Sequence, residues 1–159
     1  VDAMTLMLSL RCNLACTYCL RHASEQEMPE KLARRAVDLL FARGVGPKDL
    51  TFSGGGPLLL LERVRGLGKM ARVRAAAAGI RLRLNVLTNA AALTPAALDF
   101  LDDGDVRVVV TMAGETGSHD RFRRDKLGRG SWRRAEKGVD ALIARLPPAR
   151  LLATMPVHP

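Results

Sequence analysis

"RCNLACTYC", residues 11–19, holds all three cysteines of the 159-residue chain, Cys12, Cys16 and Cys19, spaced C-x3-C-x2-C. An odd number of thiols with no partner elsewhere cannot close a disulfide framework, so the cluster reads as a site for metal or thiol chemistry. Residues 4–10 (MTLMLSL) alternate in polarity and predict a strand that runs straight into the thiols. The fold follows from asking what surrounds a reactive loop placed at a strand's end.

Downstream, strand and helix patterns alternate. Pro29 opens a helix with Leu32, Ala36, Leu39 and Leu40 on one face and Gly44 beyond its end. A short strand at 50–53 leads into Gly54-Gly55-Gly56-Pro57, and a helix over 60–78 is closed by Gly79. A strand at 80–87, a helix opened by Thr94-Pro95 and running through Phe100, and a strand at 106–112 come next. Ser131 is expected to cap a helix reaching about Leu146, and 151–155 is a fifth strand. Strict βα alternation predicts an α/β fold with a parallel sheet, open or curled into part of a barrel. The chain stops just after a strand, so the expected unit is a partial parallel βα barrel of about five strands, cut on its C-terminal side.

Each strand is two-sided. In the third, Leu82, Leu84 and Val86 alternate with Arg81, Arg83 and Asn85; Thr5 and Ser9, Thr51 and Ser53, and Arg107 and Thr111 repeat the split. A parallel strand buried on both faces is apolar throughout, so the polar face is expected to line a wet interior. In such architectures chemistry sits at the carboxyl ends of the strands, where the cysteine loop, the triple glycine and Thr88-Asn89 all fall.

Composition bounds the rest. With 48% hydrophobic but only 4% aromatic residues, the core is aliphatic. There is no charged start followed by an apolar run and cleavage site, and no apolar segment approaches a membrane span, which predicts a soluble cytoplasmic protein. The net charge is +9, and residues 121–137 carry eight basic side chains against Asp125 and Glu136. That block attracts polyanions or acidic peptides. With few aromatics to stack bases, it reads as a solvated surface rather than a nucleic-acid site.

Thiolates suit zinc or an iron–sulfur cluster. Zinc needs a fourth ligand, for which His22, His119 and His158 are available. A cubane held by three thiolates leaves one iron without a protein ligand. Spacing alone leaves both open.

"LSLRCNLACTYC" resembles the signature of the radical S-adenosylmethionine (SAM) superfamily. Asn13, Leu14 and Tyr18 match its peptide- and protein-modifying subgroup, which includes anaerobic sulfatase maturases and SPASM-domain enzymes. The likeness covers nearly the whole chain: "FSGGGPLLL" (52–60) stands at the family's GGEP segment and residues 87–93 at its TNG-x-L stretch. "VVVTMAGETGSHDRFR" (108–123) stands at its S-x-D-G…H-D-x-x-R run, and "GRGSW" (128–132) at its G-x-G-S-[FW] turn.

The resemblance implies a radical SAM core domain over 1–159, with later strands and any auxiliary-cluster domain outside it. It implies a [4Fe–4S] cluster on Cys12, Cys16 and Cys19, and S-adenosylmethionine on Tyr18, Ser53, Gly54, Gly55, Asn89, Thr111 and Arg123. It also implies a radical SAM enzyme that abstracts hydrogen from a peptide or protein substrate, acidic if the basic block guides it, with a reduced flavodoxin- or ferredoxin-type electron donor. Gly54 and Gly55 are expected to let the backbone approach the methionyl amino group. His119, beside Asp120, is expected to be a surface loop stabiliser with no chemistry. Two positions depart from the family: its GGEP glutamate is Gly56 and its S-x-D-G aspartate is Ala113. Losing a contact to a charged group costs about 1.5–3 kcal/mol, one to two decades of cofactor affinity. Those losses favour an alternative, a non-catalytic zinc- or cluster-binding relative of the same fold.

Overall fold

A computed structural model describes residues 1–19, 24–42, 46–103 and 106–156. Five strands form one parallel sheet in chain order: β1 (Ala3–Ser9), β2 (Lys48–Gly54), β3 (Leu82–Thr88), β4 (Val106–Thr111) and β5 (Leu151–Thr154). The register Thr5↔Thr51↔Asn85↔Arg107 puts the predicted polar residues on one face. Leu6, Leu8, Leu50, Phe52, Leu84, Val86, Val106, Val108 and Val110 lie on the other face and are buried. The sheet is therefore α/β with one covered and one open face, as expected of a partial βα barrel.

The helices between the strands are α1 (Glu30–Phe41), α2 (Leu61–Ala78), α3 (Pro95–Asp103), α4 (Thr116–Phe122) and α5 (Trp132–Arg145). They cover the apolar face with Val37, Leu40, Val64, Leu67, Ala71, Leu101 and Leu142. Burying each such side chain contributes about 1.5–3 kcal/mol. Among the described residues no helix is long and apolar enough to cross a membrane.

In α1 the structure turns the expected face by one position. Ala33, Val37 and Leu40 are buried, whereas Leu32 and Leu39 are 53% and 57% exposed. The helix carries two adjacent apolar stripes, and the one containing the small Ala33 packs inward. Gly44, expected beyond its end, lies outside the described residues. The end of α2 is as expected: Gly79 adopts φ 63° and donates to the carbonyls of Ala75 and Ala76.

Helix α4 was not expected. Ser131 occupies the N-cap position of α5 but makes no capping bond with its side chain. The carboxylate of Asp120, on α4, accepts from the backbone N–H groups of both Ser131 and Trp132 at 2.8 Å. A Cβ on Gly130 would come within 2.3 Å of that carboxylate, so glycine there clears its approach.

Candidate functional site

The site begins where β1 stops pairing regularly. The β1–β2 register slips between Met7 and Ser9. Beyond it, the N–H of Gly55 donates to the Ser9 carbonyl at 2.9 Å. Gly54 sits at φ 124°, and a Cβ there would lie 2.2 Å from the Ser9 carbonyl oxygen; a Cβ on Gly55 would lie 2.2 Å from that of Arg11. The two glycines are thus required by the cysteine loop's own backbone as it crosses the end of β2, a reason internal to the chain.

Leu14 anchors that loop, being 2% exposed. Its N–H donates to the Cys12 sulfur at 3.4 Å, and the N–H of Cys19 to the Cys16 carbonyl at 3.1 Å. The loop is held from far along the chain: Ala15 N–H donates to the Arg124 carbonyl at 2.7 Å and Thr17 N–H to that of Phe122 at 2.9 Å. The clamping segment is fixed in turn by Asp125. Its Oδ1 accepts from the N–H groups of Leu127 and Arg129, and its Oδ2 accepts from the Arg129 and Arg134 guanidinium groups. Burial pushes the Asp125 carboxyl up, but the donors from Arg129 and Leu127 outweigh it and hold the group at about 2.

Asn89, at the end of β3, reaches the loop from the other side. Its amide donates to the Asn13 side chain at 2.9 Å and to the Cys12 sulfur at 3.8 Å. Asn89 and Thr88 also close the following turn by accepting from the N–H groups of Ala91 and Ala90, and the left-handed residue in it is Ala90, at φ 56°. From the segment after α4, the buried Arg123 donates to the Tyr18 hydroxyl at 2.6 Å, and that hydroxyl donates to the Cys16 thiol. Burial pushes the Cys16 thiol up, opposed by Arg123 and the Tyr18 hydroxyl, while Cys12 and Cys19 add to the rise. The Nε of Arg123 is buried with no partner.

These elements enclose a cavity of about 740 Å³. Its lining includes Cys12, Cys16 and Cys19 and every residue expected to touch the cofactor: Tyr18, Ser53, Gly54, Gly55, Asn89, Thr111 and Arg123. Lys126 also reaches it, which no feature of the sequence beyond the basic block signalled. Gly56 is not among the residues lining this cavity, and a Cβ there would meet the Leu59 side chain at 3.2 Å and the Arg11 carbonyl oxygen at 3.7 Å. The Ala113 side chain is buried, and its N–H donates to His119 Nδ1 at 3.4 Å.

His119 is fully buried, contrary to the surface placement expected for it. The Ser131 hydroxyl donates to the Arg123 carbonyl at 2.6 Å, so the His119 Nε2 at 3.0 Å from that hydroxyl is the donor of their bond. Nδ1 is then the acceptor from Ala113, and the ring packs edge-on to Trp132 at 5.3 Å. Burial, followed by Arg123, lowers its pKa. Both nitrogens are engaged, which removes His119 as a zinc ligand; His22 and His158 lie outside the described residues. All three cysteines are free thiols, and among the described residues no three His, Cys, Asp or Glu side chains converge on a single ion.

The Radical SAM superfamily matches the chain over residues 6–159. Among curated proteins, the serine-type anaerobic sulfatase-maturating enzyme of Klebsiella aerogenes is 27% identical over 142 residues, 82% of this chain and 34% of that protein. The GTP 3′,8-cyclase of Synechococcus sp. (strain WH7803) is 31% identical over 165 residues, 92% of this chain and 43% of its own length. The solved structure of native anSMEcpe with bound AdoMet and a Cp18Cys peptide superposes with a TM-score of 0.82 at 22% identity, over 96% of this chain and 42% of that one. The chain thus spans less than half the length of each of these relatives.

Proposed function

Because the chain belongs to the Radical SAM superfamily, we propose that residues 1–159 act as a radical SAM core domain that holds a [4Fe–4S] cluster and S-adenosylmethionine for work on a peptide or protein. The single observation that carries this reading is the cavity: three thiols and seven expected cofactor contacts, drawn from the carboxyl ends of four strands and the end of α4, line one 740 Å³ space. When bound, the cluster and S-adenosylmethionine supply a 5′-deoxyadenosyl radical for hydrogen abstraction.

The residues present fit these groups. Cubane ligation puts each thiolate on a different iron, and three soft sulfur donors lining one cavity supply that set. The unpartnered Nε of the buried Arg123 offers a charge-assisted donor to the methionyl carboxylate. Thr111 supplies a hydroxyl beside it, now 3.1 Å from that of Thr154. Ser53, Gly54 and Gly55 would give a main-chain wall, Asn89 orients the loop through Asn13, and Tyr18, which donates to Cys16, would contact the adenine. Leu10, Leu14 and Leu87 add apolar surface to the cavity wall.

The likeness to sulfatase-maturating enzymes supports a peptide or protein substrate. Lys126 at the cavity, with the basic block of residues 121–137 around it, favours an acidic one. A reduced flavodoxin- or ferredoxin-type protein supplies the electron, and clustered thiols suit a cytoplasmic setting. Anaerobic reconstitution with iron and sulfide tests the reading. The chain should take up about four irons and form 5′-deoxyadenosine with reductant and S-adenosylmethionine, and Cys16→Ala should abolish both. Uptake of zinc with no iron, or a full cluster with no 5′-deoxyadenosine, would establish the non-catalytic alternative instead.

A further inference from the structure

At the opposite end of the sheet lies a second cavity, of about 300 Å³, whose lining includes Lys48, Asp49, Arg81, Arg83, Arg107 and Arg150. It shares no residue with the cysteine cavity. Some of these charges are answered. Lys48, fully buried, pairs with Asp2 at 2.7 Å, and Arg83 pairs with Asp49 at 3.4 Å. Arg150 donates to the carbonyls of Leu101 and Asp102 at 3.0 and 3.1 Å, with the Asp102 carboxylate 3.8 Å away.

Others are not. Among the described residues, the guanidinium groups of Arg81 and Arg107 form no hydrogen bond or ion pair, and the Nε of Arg150 is buried with no partner. Five cations and one carboxylate, Asp49, therefore line one concave space, with Asp2 and Asp102 answering Lys48 and Arg150 from beyond its lining. Like charges sharing a pocket repel unless a counter-ion sits among them, and a buried guanidinium N–H without an acceptor leaves a further cost unmet.

We infer that this cavity binds a diphosphate group, free or carried on a nucleotide, through Arg81, Arg107 and the Nε of Arg150. Guanidinium groups match phosphate oxygens in geometry and charge. Register decides the length of the anion. Asn85 pairs with Arg107, so Arg81, just ahead of β3, lies four residues before that register position, about 13 Å at the usual rise of a strand. Side chains converging across that span straddle two linked phosphates more readily than one. The inference is independent of the function proposed for the cysteine cavity.

Calorimetric titration of the full chain with pyrophosphate, phosphate and ADP, at ionic strength held constant with potassium chloride, tests it. Pyrophosphate is expected to bind saturably at one site and more tightly than phosphate. Arg81→Gln with Arg107→Gln should weaken that binding about tenfold or more, while Arg133→Gln with Lys137→Gln, in the basic block, leaves it unchanged. ADP binding more tightly than pyrophosphate identifies a nucleotide as the source, and the reverse a free diphosphate. If the paired variant does not fold, Arg81→Gln alone, at an exposed position just ahead of β3, carries the comparison. Absence of saturable pyrophosphate binding, parental affinity in the arginine variants, or loss of binding in the Arg133/Lys137 variant overturns the site.

Discussion

At the carboxyl ends of β1 and β2 the cavity wall is main chain: Gly54 and Gly55 press against the carbonyls of Ser9 and Arg11, and the cysteine loop is fastened by backbone bonds to residues 122 and 124. At the amino ends the wall is rich in long cations, Lys48, Arg81, Arg83, Arg107 and Arg150. A wall of main chain fixes a position and tolerates no added atom. A wall of long cations fixes only a charge and tolerates rearrangement. The difference teaches where each end is vulnerable: geometry at the top of the sheet, electrostatics at its foot.

Three measurements can break or sharpen that contrast. Gly54→Ala should have the largest effect. Its φ of 124° is disfavoured for any side chain, and the new Cβ would sit 2.2 Å from a backbone oxygen. A loss of about 3 kcal/mol is expected, read from denaturant unfolding, and a loss below 1 kcal/mol would show the rim to be more yielding than its packing implies.

An intermediate effect should follow pH. His119 is held neutral in the fold, with its pKa lowered from 6.5. As pH falls below 6.5 the unfolded chain takes up a proton that the folded chain refuses, so stability drops through that window and levels off once pH passes the folded value. His119→Gln should flatten the slope there, and an unchanged slope would assign it to another group. Asp125 acts far lower: its contribution is complete above 3.8 and is lost as pH falls through about 2. The smallest effect belongs to the foot. Arg83→Gln breaks an ion pair with both partners solvent-accessible and should shift stability by less than about 1 kcal/mol. A larger loss would mean that the foot, too, is held by geometry.

What could be read in advance follows the same division. Strand order, the two-sided strands and the cavity lining were legible, because alternation and the cysteine loop with its companion segments are local patterns. Helix α4 was not. TGSHDRF (116–122) has no apolar period and is held by distant partners, with its Asp120 capping α5 and its His119 set between Ala113 and Ser131. The same long-range bonds explain why His119 passed for a surface residue and Ser131 for a cap. The inward face of α1 was ambiguous for another reason: Leu32 and Leu39 are as apolar as Val37 and Leu40, and only packing chooses between the stripes. The foot cavity was legible only in part: alternation put Arg81, Arg83 and Arg107 on the polar face, but their grouping with Arg150 comes from register across three strand starts.

The suture between the cysteine loop and residues 122–125 also sets a timetable for biosynthesis. The thiols leave the ribosome about a hundred residues ahead of the segment at the end of α4 that clasps them, an interval of roughly 5–20 s at ordinary translation speeds. Throughout it the loop lacks its backbone clamp, so the final ordering of the three sulfurs waits for residues 122–124 to dock. A nascent polypeptide stalled before Arg124 would present three sulfurs with no scaffold to order them.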